Sequence, residues 1–205
     1  MILPSRDAAL ALLHEFTASE SLRKHAYAVE AIMRAYAFRF AADIAAGVTA
    51  GPAAGVASTE VDEQFWGLVG LLHDFDYERF PQAPEHPLEG SKILAERGWP
   101  EDFRRAILSH ASYTGVTRER LVERTLFAVD ELSGFVTAVA LVKPSRSLAA
   151  VDARSVRKKL KDKAFARSVN REEVVQGPAE LGVDFDEHCT FVIAAMTGIA
   201  LELGL

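Results

Sequence analysis

The chain contains little cysteine, and this scarcity excludes an internal disulfide. Cys189 is the single cysteine among 205 residues, so no intrachain pair can form. Such usage is typical of a reducing compartment. Residues 1–7 also lack the basic start and long apolar stretch of a secretory signal peptide. We therefore expect a cytoplasmic protein.

Long apolar runs and an excess of positive charge are missing as well. No apolar run approaches the ~20 residues that a membrane-spanning helix needs. The 23 Lys and Arg residues face 29 Asp and Glu residues, which gives a net charge of −6. An acidic balance argues against a general binder of nucleic acid or of anionic membranes. The length suits one domain with a sizeable core, or at most two small domains. We favour one because we expect the helices on both sides of residues 47–58 to belong to the same core. We therefore predict one soluble domain over residues 1–205, without a membrane partner.

Alternating apolar and polar residues, the pattern of a half-buried strand, are not sustained anywhere in the chain. Apolar residues recur at helical spacing instead, which predicts an all-α fold built as a single helical bundle. Residues 47–58, rich in Gly and Ala, predict a surface loop between two helices. Residues 142–205 predict a basic, helical C-terminal extension of the same domain.

Polar residues that can accept hydrogen bonds from free backbone N–H groups predict where the helices begin. We place helix starts at Ser5, at a capping box that runs from Thr17 to Glu20, and at Thr117, Asp152, Asn170 and Asp184. Pro87 and Pro100 suit the first turns of two further helices.

The adjacent pair His73 and Asp74 ends the most apolar of the predicted helices, residues 61–72. Such a helix belongs in a core, where an ionised carboxylate costs free energy unless it is paired or binds a metal. His25 lies on the apolar side of an earlier helix, and Asp130 lies beside the apolar face of a later one. Packing of these three helices can bring the four side chains together, as in metal sites of helical bundles.

His86 and His110 lie at the start of one helix and the end of another, where they could form a second, more open site. Imidazole and carboxylate ligands together suit divalent manganese, iron, nickel, cobalt or zinc. Magnesium is an alternative, although it prefers oxygen ligands. We therefore predict one or two divalent metal ions per chain, bound by the six residues His25, His73, Asp74, His86, His110 and Asp130.

A single histidine in a core is usually a hydrogen-bonded structural residue, and this is our interpretation of His14 and His188. Any one of the other four histidines, taken alone, would deserve the same interpretation. The joint pattern, above all an adjacent His–Asp pair in an apolar helix with Asp130 in another, favours a metal site instead.

The order His25, His73–Asp74, His86, His110 and Asp130 resembles the ligand order of the HD-domain superfamily of metal-dependent phosphohydrolases. The phrases HDFDYERF, EHPLEGSKILAERGWP, AILSH and LFAVDELSGF resemble a bacterial branch of predicted HD-superfamily hydrolases, and the resemblance covers roughly residues 20–200. Asp76 and Tyr77 replace the glycine and lysine of the common HDIGK extension. No GYP motif follows His110, which argues against the cyclic-di-GMP phosphodiesterase branch.

The resemblance implies a dinuclear centre in which His25, His73, Asp74 and Asp130 bind one metal. Asp74 would bridge to a second metal, held by His86 and His110. It further implies that the catalytic residues His73 and Asp74 support attack of a metal-activated water on phosphorus. The implied function is a phosphomonoesterase or nucleotide phosphohydrolase with a small phosphorylated or nucleotide substrate.

Two other functions are compatible with the same residues. Some HD-domain members with this ligand order are di-iron oxygenases, and a non-catalytic sensor could bind a nucleotide through the basic segment 142–171. That segment holds ten Lys or Arg residues against two acids. A charge run is most often a solvated helix face. We nevertheless expect Lys143 and Arg146 to attract the substrate, so that charge reversal there raises KM.

Overall fold

The structure, a computed structural model, describes residues 3–205, so the first two residues of the N-terminal segment lie outside it. Within this range the chain forms α-helices and short 3-10 turns and no strand. The all-α prediction is confirmed. The helices are α1 (Arg6–Phe16), α2 (Glu20–Ala45), α3 (Glu63–Leu72), α4 (Glu85–Glu96), α5 (Glu101–Leu108), α6 (Leu121–Leu141), α7 (Ala153–Leu160), α8 (Arg171–Leu181), α9 (Phe185–Thr197) and α10 (Ala200–Leu203).

The core is organised around α2, which packs along α3 and also contacts α6 and α9. Helices α2 and α3 approach closely because Gly70 has no side chain. A Cβ atom at this position would lie 2.9 Å from the backbone oxygen of Val29. This close packing buries the C-terminal end of α3 in the core. His73, which directly follows α3, is fully buried.

The C-terminal helices complete the same core. Helix α8 packs against α6, and α9 packs against α2 and α6. Val174 of α8 and Val192 of α9 are fully buried in the cluster that also contains α2 and α3 side chains. The basic charge is concentrated on α7, whose Arg157, Lys158 and Lys159 fall in its last turn.

Four predicted helix starts are confirmed, since Ser5, Asp152, Asn170 and Asp184 each accept a hydrogen bond from a backbone N–H of the helix they precede. The start at Thr17 is wrong. Ser19 caps α2, whereas the Thr17 hydroxyl donates to the Phe75 carbonyl at 2.9 Å. The Thr17 hydroxyl is thus engaged in a tertiary hydrogen bond and does not cap α2.

The start at Thr117 is wrong as well, because α6 begins at Leu121. The Glu123 carboxylate accepts hydrogen bonds from the backbone N–H groups of Glu119 and Arg120. The Thr117 hydroxyl donates to Glu119 instead. Pro100 directly precedes α5 as predicted. His86 has extended backbone (φ −76°, ψ 135°), so the regular part of α4 begins after Pro87.

The predicted loop at residues 47–58 is confirmed as irregular backbone that follows α2 and leads into a 3-10 turn at Ser58–Glu60. Among residues 3–205, no helix combines the length and the apolar character needed to cross a membrane.

Two helical glycines should respond in opposite ways to replacement by alanine. A Cβ at Gly177 of α8 would lie 2.6 Å from the Cα of Ala128 in α6, whereas a Cβ at Gly134 would meet nothing within 4 Å. We expect Gly177→Ala to lower the free energy of unfolding by about 1–3 kcal/mol through overpacking. Gly134→Ala should raise it by about 0.5–1 kcal/mol through helix propensity. Urea denaturation measures both, and equal effects would contradict the proposed close packing of α6 and α8.

His188 is a buried structural histidine, as predicted. Its Nε2 donates to the Ala128 carbonyl at 2.9 Å, and its Nδ1 accepts from the Tyr36 hydroxyl at 2.5 Å. Burial lowers the pKa of His188 to about 4, and the charge of Arg39 adds to this lowering, although the bond to Ala128 opposes it. His14 is exposed and bonds Tyr27 through its Nε2.

The stability of the protein should therefore decrease as the pH falls through the range between the unfolded-state and the folded-state pKa of His188. In the unfolded chain a histidine binds a proton below a pKa of ~6.5, whereas folded His188 stays neutral down to about pH 4. The unfolded state thus binds more protons between these values, and stability is lost as the pH falls. Between pH 7 and pH 5 we expect wild type to lose about 2 kcal/mol more than His188→Phe. Parallel pH profiles of unfolding for the two proteins would contradict this assignment.

Candidate metal centre

Six side chains from five segments of the fold meet at one place. His25 comes from α2, and His73 and Asp74 directly follow α3. His86 lies in the first turn of α4, His110 directly after α5, and Asp130 in the middle of α6. These residues form two groups that could each hold a metal ion: His25, His73, Asp74 and Asp130, and Asp74, His86 and His110. The structure thus brings all six predicted ligands together.

In the first group, the Oδ1 atom of Asp130 lies close to both histidines. This oxygen lies 3.0 Å from His25 Nε2 and 3.3 Å from His73 Nε2, and the two nitrogens lie 3.1 Å apart. Two nitrogens bound at ~2.1 Å to one ion lie roughly 3.0 Å apart at a right angle and roughly 3.4 Å apart at a tetrahedral angle. The observed separation falls within this range, so the two nitrogens could bind one ion.

The second group repeats this spacing. His86 Nε2 and His110 Nε2 lie 3.2 Å apart, at 3.0 Å and 3.4 Å from the Oδ1 atom of Asp74. The other oxygen of Asp74, Oδ2, faces the first group, at 3.6 Å from His73 Nε2 and 3.8 Å from His25 Nε2. Asp74 therefore presents one oxygen to each group of ligands.

In each of the four histidines, Nδ1 is the ring nitrogen that points away from the cluster, and it forms a hydrogen bond with a neighbouring group. Nδ1 of His73 donates to the Gly70 carbonyl at 2.7 Å, and Nδ1 of His110 donates to the Ile107 carbonyl at 2.6 Å. A carbonyl can only accept, so the neutral form of each ring keeps the lone pair on Nε2. That nitrogen points into the centre, as a metal ligand must.

Nδ1 of His25 also forms a hydrogen bond that leaves Nε2 facing the cluster, and its partner is a serine. The Ser133 hydroxyl donates to the Asp130 carbonyl at 2.8 Å, so its oxygen is left to accept from His25 Nδ1 at 3.3 Å. Ser133 therefore links two ligands of the first group and orients the ring of His25.

Asp76 orients His86 and was not identified from the sequence. This fully buried carboxylate accepts a hydrogen bond from His86 Nδ1 at 2.8 Å and another from the backbone N–H of Gly90 at 2.9 Å. A Cβ at Gly90 would lie 2.6 Å from the Asp76 carboxylate, so only glycine admits this approach. A carboxylate behind a ligand histidine fixes the ring and makes it a stronger ligand. The spacing His–Asp–x–Asp was the available signal.

Opposite charges in the cluster shift the pKa values of its members. Burial would lower the pKa of His73, but the charges of Asp74 and Asp130 outweigh it and raise the pKa to about 9. His86 behaves alike, since its bonds to Asp74 and Asp76 outweigh burial and raise its pKa to about 10.

The pKa values of the two aspartates are shifted downward. Burial would raise the pKa of Asp74, but the charge of His73 and the bonds to His110 and His86 hold it well below its usual range. The charge of His73 likewise outweighs burial and lowers the pKa of Asp130. Both carboxylates are therefore anionic ligands at neutral pH, and metal ions would replace the protons on the histidines.

A cavity of about 320 Å³ opens onto five of the six residues, all except the fully buried His73. Its lining also includes Ser112, Tyr113, Ser168, Glu131 and Glu173. Burial, followed by the charge of Asp130, raises the pKa of Glu131 to about 7. In the described part of the chain, no Lys or Arg lines this cavity. The described lining therefore offers an anion no Lys or Arg side chain, and bound cations would supply positive charge there.

Lys143 and Arg146 do not line this cavity. Both residues follow α6, which ends at Leu141. Asp130 lies eleven residues before that end, and this length of helix spans roughly 16 Å. Arg146 is exposed. That these residues bind substrate stays a prediction, and the cavity lining adds no support to it.

Comparison with known protein families, with curated proteins and with solved structures finds no match for this chain. The relationship to the HD-domain superfamily therefore stays a prediction. The fold and the site define a helical protein whose His and Asp side chains could hold metal ions.

Proposed function

We propose that this protein is a metal-dependent phosphohydrolase that cleaves phosphate esters at a dinuclear centre. The observation that carries the proposal is the position of Asp74, with Oδ1 at the His86–His110 group and Oδ2 at the His25–His73–Asp130 group. A carboxylate with this arrangement can bridge two cations. Two such cations would lower the pKa of a water between them and neutralise charge on the oxygens of a phosphoryl group.

The protein side chains have separate tasks in this proposal. Four neutral imidazoles bind cations without cancelling their charge, and the two aspartates keep the cations in place. Ser112 and Ser168 supply hydroxyl groups beside the centre, where they can hydrogen-bond phosphate oxygens, whereas the Tyr113 hydroxyl already donates to the His86 carbonyl at 2.7 Å. The carboxylate of Glu173 and the ionised fraction of Glu131, whose pKa is about 7, repel an anionic ester when the cations are absent, because both groups line the cavity.

Metal dependence of both binding and turnover tests the proposal. Protein treated with a chelator should neither bind inorganic phosphate nor release phosphate from esters. Reloading under anaerobic conditions with manganese, cobalt, nickel, zinc, iron or magnesium, one at a time, should restore hydrolysis for at least one ion. His14→Ala is a matched control, because this exposed histidine lies outside both metal groups, so the variant should keep its metal, whereas His73→Ala should lose it.

The same experiment separates the two other candidate functions. Consumption of dioxygen that requires iron, with no phosphate release under any metal, would replace the hydrolase by an oxygenase. Nucleotide binding that persists in His73→Ala, together with no turnover of any ester, would indicate a non-catalytic sensor. Full hydrolysis by the metal-free protein would refute the metal-dependent scheme.

A further inference from the structure

A second, larger cavity adjoins the candidate metal centre. It has a volume of about 780 Å³ and lies between the start of α2, the second half of α6 and the segment that precedes α8. The two cavities share the lining residues Leu22, His25, Gly134, Ser168 and Val169. A molecule bound at the metal ligands can therefore extend past His25 into the larger cavity, whose volume is typical of small-molecule sites.

The wall of the larger cavity is mostly apolar. Its apolar side chains are Leu22, Ala138, Leu141, Ala166, Val169, Leu203 and Leu205. Leu141 remains 50% exposed, although it belongs to a helix that is otherwise largely buried. Apolar surface left open beside a polar centre is the usual composition of a ligand pocket, where the polar groups fix one end of the ligand.

The charges in this cavity argue against a second anionic group on the ligand. Lys24 is the one Lys or Arg side chain that lines it within the described residues, and its ammonium is paired with Glu20 at 2.8 Å. A polyphosphate chain would therefore find at most one Lys or Arg there, and that side chain already has a counter-charge. An apolar group would gain from leaving water, at about 25 cal/mol for each Å² buried.

Space is left open where the two cavities meet. Gly134 lies in α6 and lines both of them, and a Cβ atom at this position would meet nothing within 4 Å. Glycine inside a helix costs stability relative to alanine. No side chain therefore projects from this part of α6 into the passage, which is bordered by Leu22, His25, Ser168 and Val169.

We propose that the substrate is a phosphate monoester of an apolar alcohol, whose alkyl or aryl part occupies the larger cavity while its phosphoryl group lies at the metal centre. This inference rests on the proposed function and specifies its substrate class. Hydrolysis consumes one water: its oxygen bonds to phosphorus, and the bond between phosphorus and the ester oxygen breaks. The alcohol leaves with a proton from that water, and inorganic phosphate remains.

A homologous series of alkyl phosphates tests the substrate class. Each methylene that moves from water into the cavity should raise kcat/KM by up to about fourfold. From ethyl to octyl phosphate we expect a gain of at least about 100-fold, because partial burial reduces the full increment. Equal kcat/KM for the two esters, or faster hydrolysis of a nucleoside monophosphate than of octyl phosphate, would overturn the inference and leave the phosphohydrolase standing.

A variant that fills the cavity tests the location. Ala138 lines the larger cavity and is absent from the lining of the smaller one. Ala138→Phe should reduce the octyl-to-ethyl ratio of kcat/KM by about 30-fold or more. Ala41→Phe, the same change at an exposed position of α2, is the matched control and should keep the wild-type ratio. Should Ala138→Phe not fold, Leu141→Glu at a half-exposed position should lower the same ratio.

Binding of octan-1-ol provides a readout that is independent of turnover. Calorimetric titration should detect octanol binding to wild type and to Ala41→Phe, and a loss of at least about tenfold in affinity in Ala138→Phe. Octanol binding with this pattern, but without hydrolysis of any ester, would keep the apolar site and refute the phosphohydrolase. Unchanged octanol binding in Ala138→Phe, or none in wild type, would overturn the inference.

Discussion

Replacement of Asp74 by alanine is expected to remove both metal ions and to abolish ester hydrolysis. Asp74 is the one residue that belongs to both ligand groups of the described structure. The variant should contain less than about a tenth of the wild-type metal. Its kcat/KM should fall at least about a thousandfold, since several kcal/mol of charge stabilisation are lost and each 1.4 kcal/mol is a factor of ten.

The control for this result is a ligand that belongs to one group only. His86→Ala removes a ligand of the Asp74–His86–His110 group and should lose one metal ion while the other stays bound. Metal analysis after equilibration with a weak chelator distinguishes the two variants. Retention of two ions by Asp74→Ala would show that the carboxylate does not bridge.

The metal-free form of Asp74→Ala should also be less stable than the metal-free wild type. Two histidines beside Asp74 have pKa values raised to about 9 and about 10, so both carry a proton at neutral pH. Without the Asp74 carboxylate each of these buried cations loses one of its two counter-charges, since His73 keeps Asp130 and His86 keeps Asp76. The loss of a hydrogen-bonded charge partner costs about 1.5–3 kcal/mol. Urea denaturation in the presence of a strong chelator measures this difference, and unchanged stability would contradict the proposed charge pairing.

Asp76→Asn is expected to weaken the second metal selectively. The carboxylate uses one oxygen for His86 Nδ1 and the other for the Gly90 N–H, whereas an amide has one acceptor oxygen. One of the two donors must therefore lose its partner. We expect metal affinity at the His86–His110 group to fall 10- to 100-fold, the usual effect of losing a partner behind a ligand histidine. Affinity at the His25–His73–Asp130 group should stay unchanged.

Gly90→Ala gives an independent test of the same contact. The added methyl group would lie 2.6 Å from the Asp76 carboxylate and so displaces it without removing its charge. Metal titrations of both variants should therefore show the same selective loss. Equal weakening of both metal ions, or none, would mean that Asp76 does not position His86.

The residue types of the candidate site could be predicted from the sequence because they obey local rules. His25 falls on the apolar side of α2, and His73 and Asp74 end an apolar helix, so burial of these groups follows from periodicity alone. His188 has the same local pattern, and its interpretation as a structural residue is supported by its bonds to Tyr36 and Ala128. Periodicity alone did not distinguish it from the ligands.

Asp76 and the two incorrect helix starts depended on contacts between distant parts of the chain. Asp76 is three residues from His73, yet its partner is His86 of another helix. Thr17 has the side chain of a capping residue, but the carbonyl of Phe75, far along the chain, takes its hydroxyl. Local propensity cannot anticipate such competition, because the competing group arrives only when the helices pack.

Helical periodicity and side-chain chemistry thus determined the all-α class, the single core and the six residues with metal-binding side chains. Tertiary structure alone decided that the two oxygens of Asp74 face different histidine pairs and that an apolar cavity adjoins the centre. It also placed Lys143 and Arg146 outside the lining of the metal cavity. The physical reason is that periodicity specifies which face of a helix is buried, whereas the rotation and spacing of packed helices specify which atoms meet.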